Sequence, residues 1–143
     1  MKHIQNCISF QASTAAKAIG RLSRARLAPF GVTPIQFAVL QAVSEAKCQT
    51  AADIGTTLMI DSATIVGVID RLAAMNFLAR EADPSDRRLY RLLLTSEGAA
   101  ALPAMQAGMN ELNAEVDIAL GSEAPSVRKS LQQLASLPTT QKA

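Results

Sequence analysis

Apolar side chains recur along most of this chain at helical spacing, and one short charged turn interrupts them. Ile4, Ile8, Ala15, Ile19 and Leu22 form one stripe of a first helix that ends near Ala28-Pro29-Phe30-Gly31. Thr33, Pro34 and Gln36 then make a strong start signal: an N-cap hydroxyl, a proline at the first helical position and a glutamine at the capping-box position. This second helix runs to about Ala46. Ala51 to Leu58 suits a short helix, and Met59-Ile60 bridges it to Asp61-Ser62, two good N-cap residues in succession. From there Ile65, Val68, Ile69, Leu72 and Met75 give one apolar helical face.

The charged turn is Asp83-Pro84-Ser85-Asp86-Arg87-Arg88, built from residues that initiate and fix turns. A strand from Leu89 to Leu94 follows, apolar except at Arg91, so the turn is the tip of a short β-hairpin. Thr95 then offers an N-cap oxygen, and Glu97 places a carboxylate in the first turn of the next helix, where the helix dipole favours it. That helix reaches about Leu120 and spans roughly 37 Å. Pro103 lies inside it and removes one backbone hydrogen bond, and Gly121-Ser122 ends it. Val127, Leu131, Leu134 and Leu137 mark a last helix, and residues 138–143 are expected to fray.

The predicted fold class is therefore mainly α with a small β-hairpin. Two helices joined by a tight turn, the second opening with small polar side chains, describe a helix-turn-helix whose recognition helix meets base edges N-terminus first. Ser62 and Thr64 occupy that first turn, and with Arg71 they lie off the apolar stripe. A hairpin with two adjacent arginines on its tip, beside such helices, is a wing: a device for placing guanidinium groups in a DNA minor groove. Each feature alone is as well explained by a solvated face. The order helix, turn, helix, strand, charged tip, strand is much rarer.

Three segments carry a family resemblance: VTPIQFAVLQAV (32–43), DSATIVGVIDRLAAMNFLAR (61–80) and DPSDRRLYRLLLTSEG (83–98). With them the chain resembles the MarR family of winged helix-turn-helix transcriptional regulators, in register from about residue 9 to about 137. Asp86, Arg88, Leu94-Thr95 and Gly98 match the family's wing signature. The resemblance implies a reading head over about residues 33–95, flanked by dimerisation helices over about 4–29 and 96–137, in a single domain of residues 1–143. It implies that Asp86 orients the Arg88 that enters the minor groove, with Arg87 an added cation. Ser62, Ala63, Thr64 and Ile65 would form the recognition-helix face, Ala63 or Ile65 touching a thymine methyl. Arg71 would contact a phosphate or anchor the helix internally, and Thr50 would cap the first helix-turn-helix element.

Composition and charge are consistent with this. A length of 143 residues suits one domain, and an Ala-rich chain with five aromatic residues favours helices over sheet. Residues 1–91 hold 11 Lys/Arg and 7 Asp/Glu, net +4, whereas residues 92–143 hold 3 and 5, net −2. The phosphate-facing surface therefore belongs to the first two thirds. Apolar runs fall short of a membrane span, Lys2-His3-Ile4-Gln5-Asn6 does not open a signal peptide, and Cys7 and Cys48 are too few for a disulfide framework or zinc site. A cytoplasmic protein without cofactor or metal is expected. One histidine, His3, no nucleophile–base set and no phosphate-cradling glycine loop argue against an enzyme.

The apolar stripes at both ends exceed what a small winged module can bury, so their expected partner is a second copy. A two-fold dimer sets recognition helices about 34 Å apart, one DNA turn, to match a palindrome. The resemblance further implies repression and release by a small aromatic or phenolic acid, and a cluster of three arginines that could meet phosphates also admits a CoA thioester. Arg21, Arg24 and Arg26 are the candidate cations, and Phe10, Phe37, Met59 and Met105 the candidate apolar wall. Two rival readings remain: a redox sensor acting through Cys7, which sits about two residues from the family's reactive position with the lone Tyr90 in the wing, and a winged-helix protein-interaction module that never touches DNA.

Overall fold

The computed structural model describes residues 3–46 and 49–138, in two compact units, Met1–Met109 and Asn110–Ala143. Lys2, Cys48 and the tail expected to fray beyond Pro138 lie outside the described residues.

The first unit begins with a 3-10 turn over Ile4–Asn6, and only then with helix α1, Ile8–Leu27. The single stripe expected from Ile4 onward is thus broken at Cys7, whose backbone is extended. α2 (Pro34–Glu45) opens with the expected capping box. Thr33 Oγ1 accepts from the Gln36 amide, and Gln36 Oε1 accepts from the Thr33 amide at 2.9 Å, which satisfies an otherwise buried glutamine. α3 (Ala51–Leu58) has a second capping box, between Thr50 and Asp53. α4 (Ser62–Ala74) is capped by Asp61, whose Oδ1 accepts from the Thr64 amide at 2.9 Å. The cap residue is thus Asp61, and Ser62 becomes the first helical residue.

Between α3 and α4 the chain turns at Met59, φ 54°, the left-handed cap that closes α3. The approach of the two helices is close: a Cβ on Gly55 would stand 3.1 Å from the Ile60 carbonyl oxygen. Strands β1 (Leu78–Ala82) and β2 (Tyr90–Leu94) pair antiparallel, Leu78 opposite Leu94 and Ala82 opposite Tyr90. The Leu92 amide also donates to the Gln49 carbonyl, and Thr50 bridges Arg91, so the lead-in to α3 is joined to the return strand of the hairpin.

The core of this unit is a single cluster. Leu27 and Val32 meet Val39, Leu40 and Val43 of α2, Ile54 of α3, Ile65, Val68, Ile69 and Leu72 of α4, Leu78 and Leu92 of the strands, and Leu102 and Met105 of α5. Helix α5 spans Ser96–Leu120, the full stretch expected, and continues through Pro103. Its start is locked to the end of the helix-turn-helix. Thr95 Oγ1 accepts from the Gly98 amide at 3.0 Å and donates to the Asn76 carbonyl at 2.5 Å, and the Thr95 amide donates to the Phe77 carbonyl.

The second unit holds the end of α5, a 3-10 turn over Gly121–Glu123 and α6, Ala124–Ala135. Gly121, φ 58°, makes the left-handed turn that reverses the chain. Arg128 Nη2 donates to Asp117 Oδ1 at 2.7 Å and ties α6 back to α5. α6 stops at Ala135, two residues short of the last apolar position, leaving Leu137 beyond it. Among the described residues, no single helix is long and apolar enough to cross a membrane.

Candidate nucleic-acid interface

The start of α4 and the tip of the β1–β2 hairpin carry most of the polar groups singled out in the sequence. On α4, the buried residues are Ile65, Val68, Ile69 and Leu72. Ser62, Thr64 and Arg71 stay exposed, as the periodicity required, and so does Ala63. Ile65 does not belong with them. Its side chain is 1% exposed and its Cγ2 lies 3.5 Å from where a Gly55 Cβ would stand, so it packs α4 onto α3 and cannot touch a base. The neighbouring Val66, which the spacing argument passed over, is 48% exposed. Gly67 is also exposed, and a Cβ there would meet nothing within 4 Å.

The Thr64 hydroxyl is already engaged. It donates to Asp61 Oδ2 at 2.6 Å, and this bond is the largest reason that the Asp61 carboxyl lies below the usual carboxylate range. The first turn of α4 therefore presents the Asp61 carboxylate, the Ser62 hydroxyl and a Thr64 hydroxyl oxygen whose proton is committed. At the other end of the face, Asp70 pairs with Arg80 of β1, which couples α4 to the hairpin.

In the tip, Asp83 organises the turn. Its Oδ1 accepts from the Ser85 amide at 2.7 Å, the Ser85 hydroxyl at 2.5 Å and the Asp86 amide at 3.2 Å, the Asx-turn arrangement. Its Oδ2 accepts from Arg91 Nε at 2.7 Å across the hairpin. The Ser85 bonds, then Arg91, hold the Asp83 carboxyl well below the usual range. By residue type Asp83 is a turn former and Arg91 an interruption of an apolar strand, and their pairing is not read from the sequence. The available signal was an acidic residue and a basic one flanking the same turn.

Asp86 and Arg88 form the pair that the family resemblance implied. Arg88 Nε and Nη2 donate to the two Asp86 carboxylate oxygens at 3.1 and 3.2 Å, and the Arg88 amide donates to Oδ1 at 3.0 Å. The Arg88 bond is also the main cause that lowers the Asp86 carboxyl. The arginine side chain is nevertheless 90% exposed, so its guanidinium is oriented and yet open to solvent. Arg87 beside it is exposed as well.

The candidate effector residues do not converge. Met105 is fully buried in the core and has no surface to offer a ligand. Met59 is 75% exposed, but it stands at the helix-turn-helix turn, where it lines a cavity of about 420 Å³ with Gly55, Asp61 and Ile65. Phe10 is exposed, 11 residues before Arg21 on α1, or roughly 16 Å along the helix. Arg21 and Arg24 are exposed one turn apart, whereas Arg26 is half-buried with its Cβ 3.6 Å from the Cβ position of Gly108 on α5. The three arginines are therefore a pair and an outlier. Phe37 is half-buried against the core. Cys7 is half-buried at the start of α1 with no side-chain capping bond, and Tyr90 is exposed at the start of β2.

Comparison with known proteins agrees with this geometry. The family model described as the MarR family matches residues 32–90. The HTH-type transcriptional regulator TtmR of Methylorubrum extorquens is 30% identical over 134 residues, which cover 90% of this chain and 69% of that one. The HTH-type transcriptional repressor NicR of Pseudomonas putida is 34% identical over 97 residues, and this match spans 62% of the chain and less than two thirds, 61%, of that relative. In fold the chain is similar to BpsR of Bordetella bronchiseptica, whose structure concerns the regulation of its DNA binding by 6-hydroxynicotinic acid. The TM-score is 0.88 at 24% identity, covering 96% of this chain and 99% of that chain.

Proposed function

Because the chain belongs to the MarR family, we propose that it is a DNA-binding transcriptional repressor that grips a palindromic operator as a homodimer. A small aromatic acid or its CoA thioester releases it. The observation that carries the DNA-binding reading is the wing arginine: Arg88 is held by a two-pronged bond to Asp86 while 90% of its side chain stays in solvent. The arginines that tie elements of the fold together are more covered: Arg91 is 28%, Arg80 39% and Arg128 47% exposed. One that is oriented and bare is prepared for an external anion in a groove.

The dimer is supported by apolar surface that each unit leaves bare: Ile4, Ile8, Ile19 and Leu22 in the first, Ile118, Leu131, Leu134 and Leu137 in the second. Apolar area of this extent, on helices at both ends of the chain, is stabilised by a partner surface. For the effector, the exposed pair Arg21 and Arg24 supplies positive charge for a carboxylate or phosphate. The heteroaromatic acid named for BpsR is of the chemical class proposed here.

A gel-shift titration across a salt series tests this function. A protein that neutralises phosphates loses affinity linearly in log–log form as salt rises. Affinity that does not respond to salt, or no shift at low salt, rejects DNA binding and leaves a protein-interaction module. Adding aromatic acids and their CoA thioesters to the same titration should release DNA. Release by peroxide instead, abolished in Cys7→Ser, would transfer control to the thiol.

A further inference from the structure

The outward face of α4 has an unusual chemical make-up for a helix that reads bases. Between Ser62 and Ile69 there is no Arg, Lys, Asn or Gln. Arginine and lysine recognise guanine through O6 and N7, and asparagine and glutamine grip adenine in two-pronged fashion. Recognition helices contact base edges from their N-terminal turns, so the missing donors are missing where they would count. The first arginine, Arg71, lies nine residues beyond Ser62, roughly 13 Å along the axis.

Beyond the Ser62 hydroxyl at its first position, what the face presents is small, apolar and hydrogen-bond accepting. Ala63 and Gly67 stand one turn apart on the side opposite the buried stripe, with Val66 beside them. Gly67 lies in the interior of a 13-residue helix, where glycine is the worst residue but proline. No neighbour within the protein demands it, because a Cβ there would meet open space. A glycine in a helix without an internal reason, one turn from Ala63 on the outward side, leaves room for something that approaches the backbone closely. The helix N-terminus is not free to take a phosphate either, because the Asp61 carboxylate occupies it and accepts both the Thr64 amide and the Thr64 hydroxyl. Thr64 Oγ1 has therefore spent its proton and can offer only lone pairs to a base.

We infer that α4 selects A·T pairs in the major groove, with Val66 against a thymine 5-methyl group and the Thr64–Asp61 pair accepting from the adenine N6 amino group, while Ala63 and Gly67 let the helix come close enough for both. An A·T pair is the one that displays a methyl and an amino donor together in the major groove, whereas a G·C pair offers the amino donor of cytosine without a methyl. The wing then serves as the sequence-tolerant grip, and α4 reads through shape and methyl contacts more than through donors. This inference rests on the DNA-binding reading above.

Selection of binders from a random duplex library by the full chain, followed by deoxyuridine scanning of the selected site, tests it. Deoxyuridine pairs as thymine does but lacks the 5-methyl group. The selected half-sites should contain a thymine whose replacement by deoxyuridine weakens wild-type binding by about fourfold per half-site, the ratio for one buried methyl. Val66→Ala should bind the thymine and deoxyuridine sites alike. Gly67→Ala should fold at least as well by thermal melting and yet bind the selected site more weakly. Half-sites that select guanine under α4, a wild type indifferent to deoxyuridine, a Val66→Ala variant as sensitive as wild type, or undiminished binding by Gly67→Ala overturns the inference while DNA binding stands. A library that yields no binders at low salt overturns the DNA-binding reading itself, and this inference with it.

Discussion

Arg91 Nε donates to Asp83 Oδ2 at 2.7 Å across the hairpin, joining the return strand to the first residue of the wing tip. The other Asp83 oxygen holds the amides of Ser85 and Asp86. One carboxylate thus fixes both the turn and its attachment to the strand, and it is the least exposed charged group of the tip pairs. The Asp86–Arg88 fork is built on the turn that Asp83 sets.

The first prediction follows from that dependence. Asp83→Ala should leave the helices folded and loosen the tip, read as faster amide exchange at Ser85, Asp86 and Arg88. Acid should do the same in the wild type. The Asp83 and Asp86 carboxyls both lie below their ordinary value of 3.8. Their contribution is thus fully present above that value and lost as pH falls through the lower folded values. Protection at the tip that survives in Asp83→Ala at neutral pH, or that fails on raising rather than lowering pH, contradicts this account.

Arg88→Ala should weaken binding to every DNA sequence tested and reduce the salt slope by about 1, the signature of one lost phosphate-directed cation. Arg88→Lys keeps the charge but loses the two-pronged geometry with Asp86, so it should fall between. Asp86→Ala should resemble Arg88→Lys, because the guanidinium remains and its orientation does not. Equal affinities for wild type and Arg88→Ala across a salt series would remove the wing from the interface.

Two glycines should respond oppositely to alanine. A Cβ on Gly98 would overlap the Phe77 carbonyl oxygen, so Gly98→Ala must push the start of α5 off the end of the helix-turn-helix. A cost of about 1–3 kcal/mol is expected, as for other overpacked sites. Gly67→Ala adds a methyl in open space inside a helix and should stabilise by about 0.5–1 kcal/mol. Urea unfolding of both variants checks the pair, and a neutral Gly98→Ala would show that this junction is less tightly set than its geometry implies.

Light scattering should give a particle of twice 15.1 kDa at micromolar concentration. A chain ending at Leu120 lacks the bare Leu131, Leu134 and Leu137 and should shift toward monomer. A wild-type monomer, or a truncated chain that dimerises as tightly, would reject the assignment of these faces to self-association.

Local signals in the amino-acid order were sufficient for most of the fold. Thr33, Pro34 and Gln36 announce α2, Asp61 announces α4, Thr95 announces α5 and Gly121 ends it, because a cap or a left-handed turn involves residues only one to four apart. The wing pair was legible for the same reason, since Asp86 and Arg88 are two residues apart. What escaped was decided by distance along the chain or by the phase of a helix. Ile65 stands in the apolar stripe by its spacing, and its packing onto α3 takes it off the base-reading face where the resemblance had put it, leaving Val66 outward. Arg26 is separated from Arg21 and Arg24 by the rotation of α1 and its contact with α5. Met105 is drawn into the core by elements from both sides of the hairpin. Gly98 is required only because the Phe77 carbonyl, 21 residues earlier, lies against it. Sequence alone determined the elements and their caps, since those depend on neighbours along the backbone. Which side chains meet, and which remain free for a partner, was decided by tertiary packing, since only the closing of distant elements removes a surface from water.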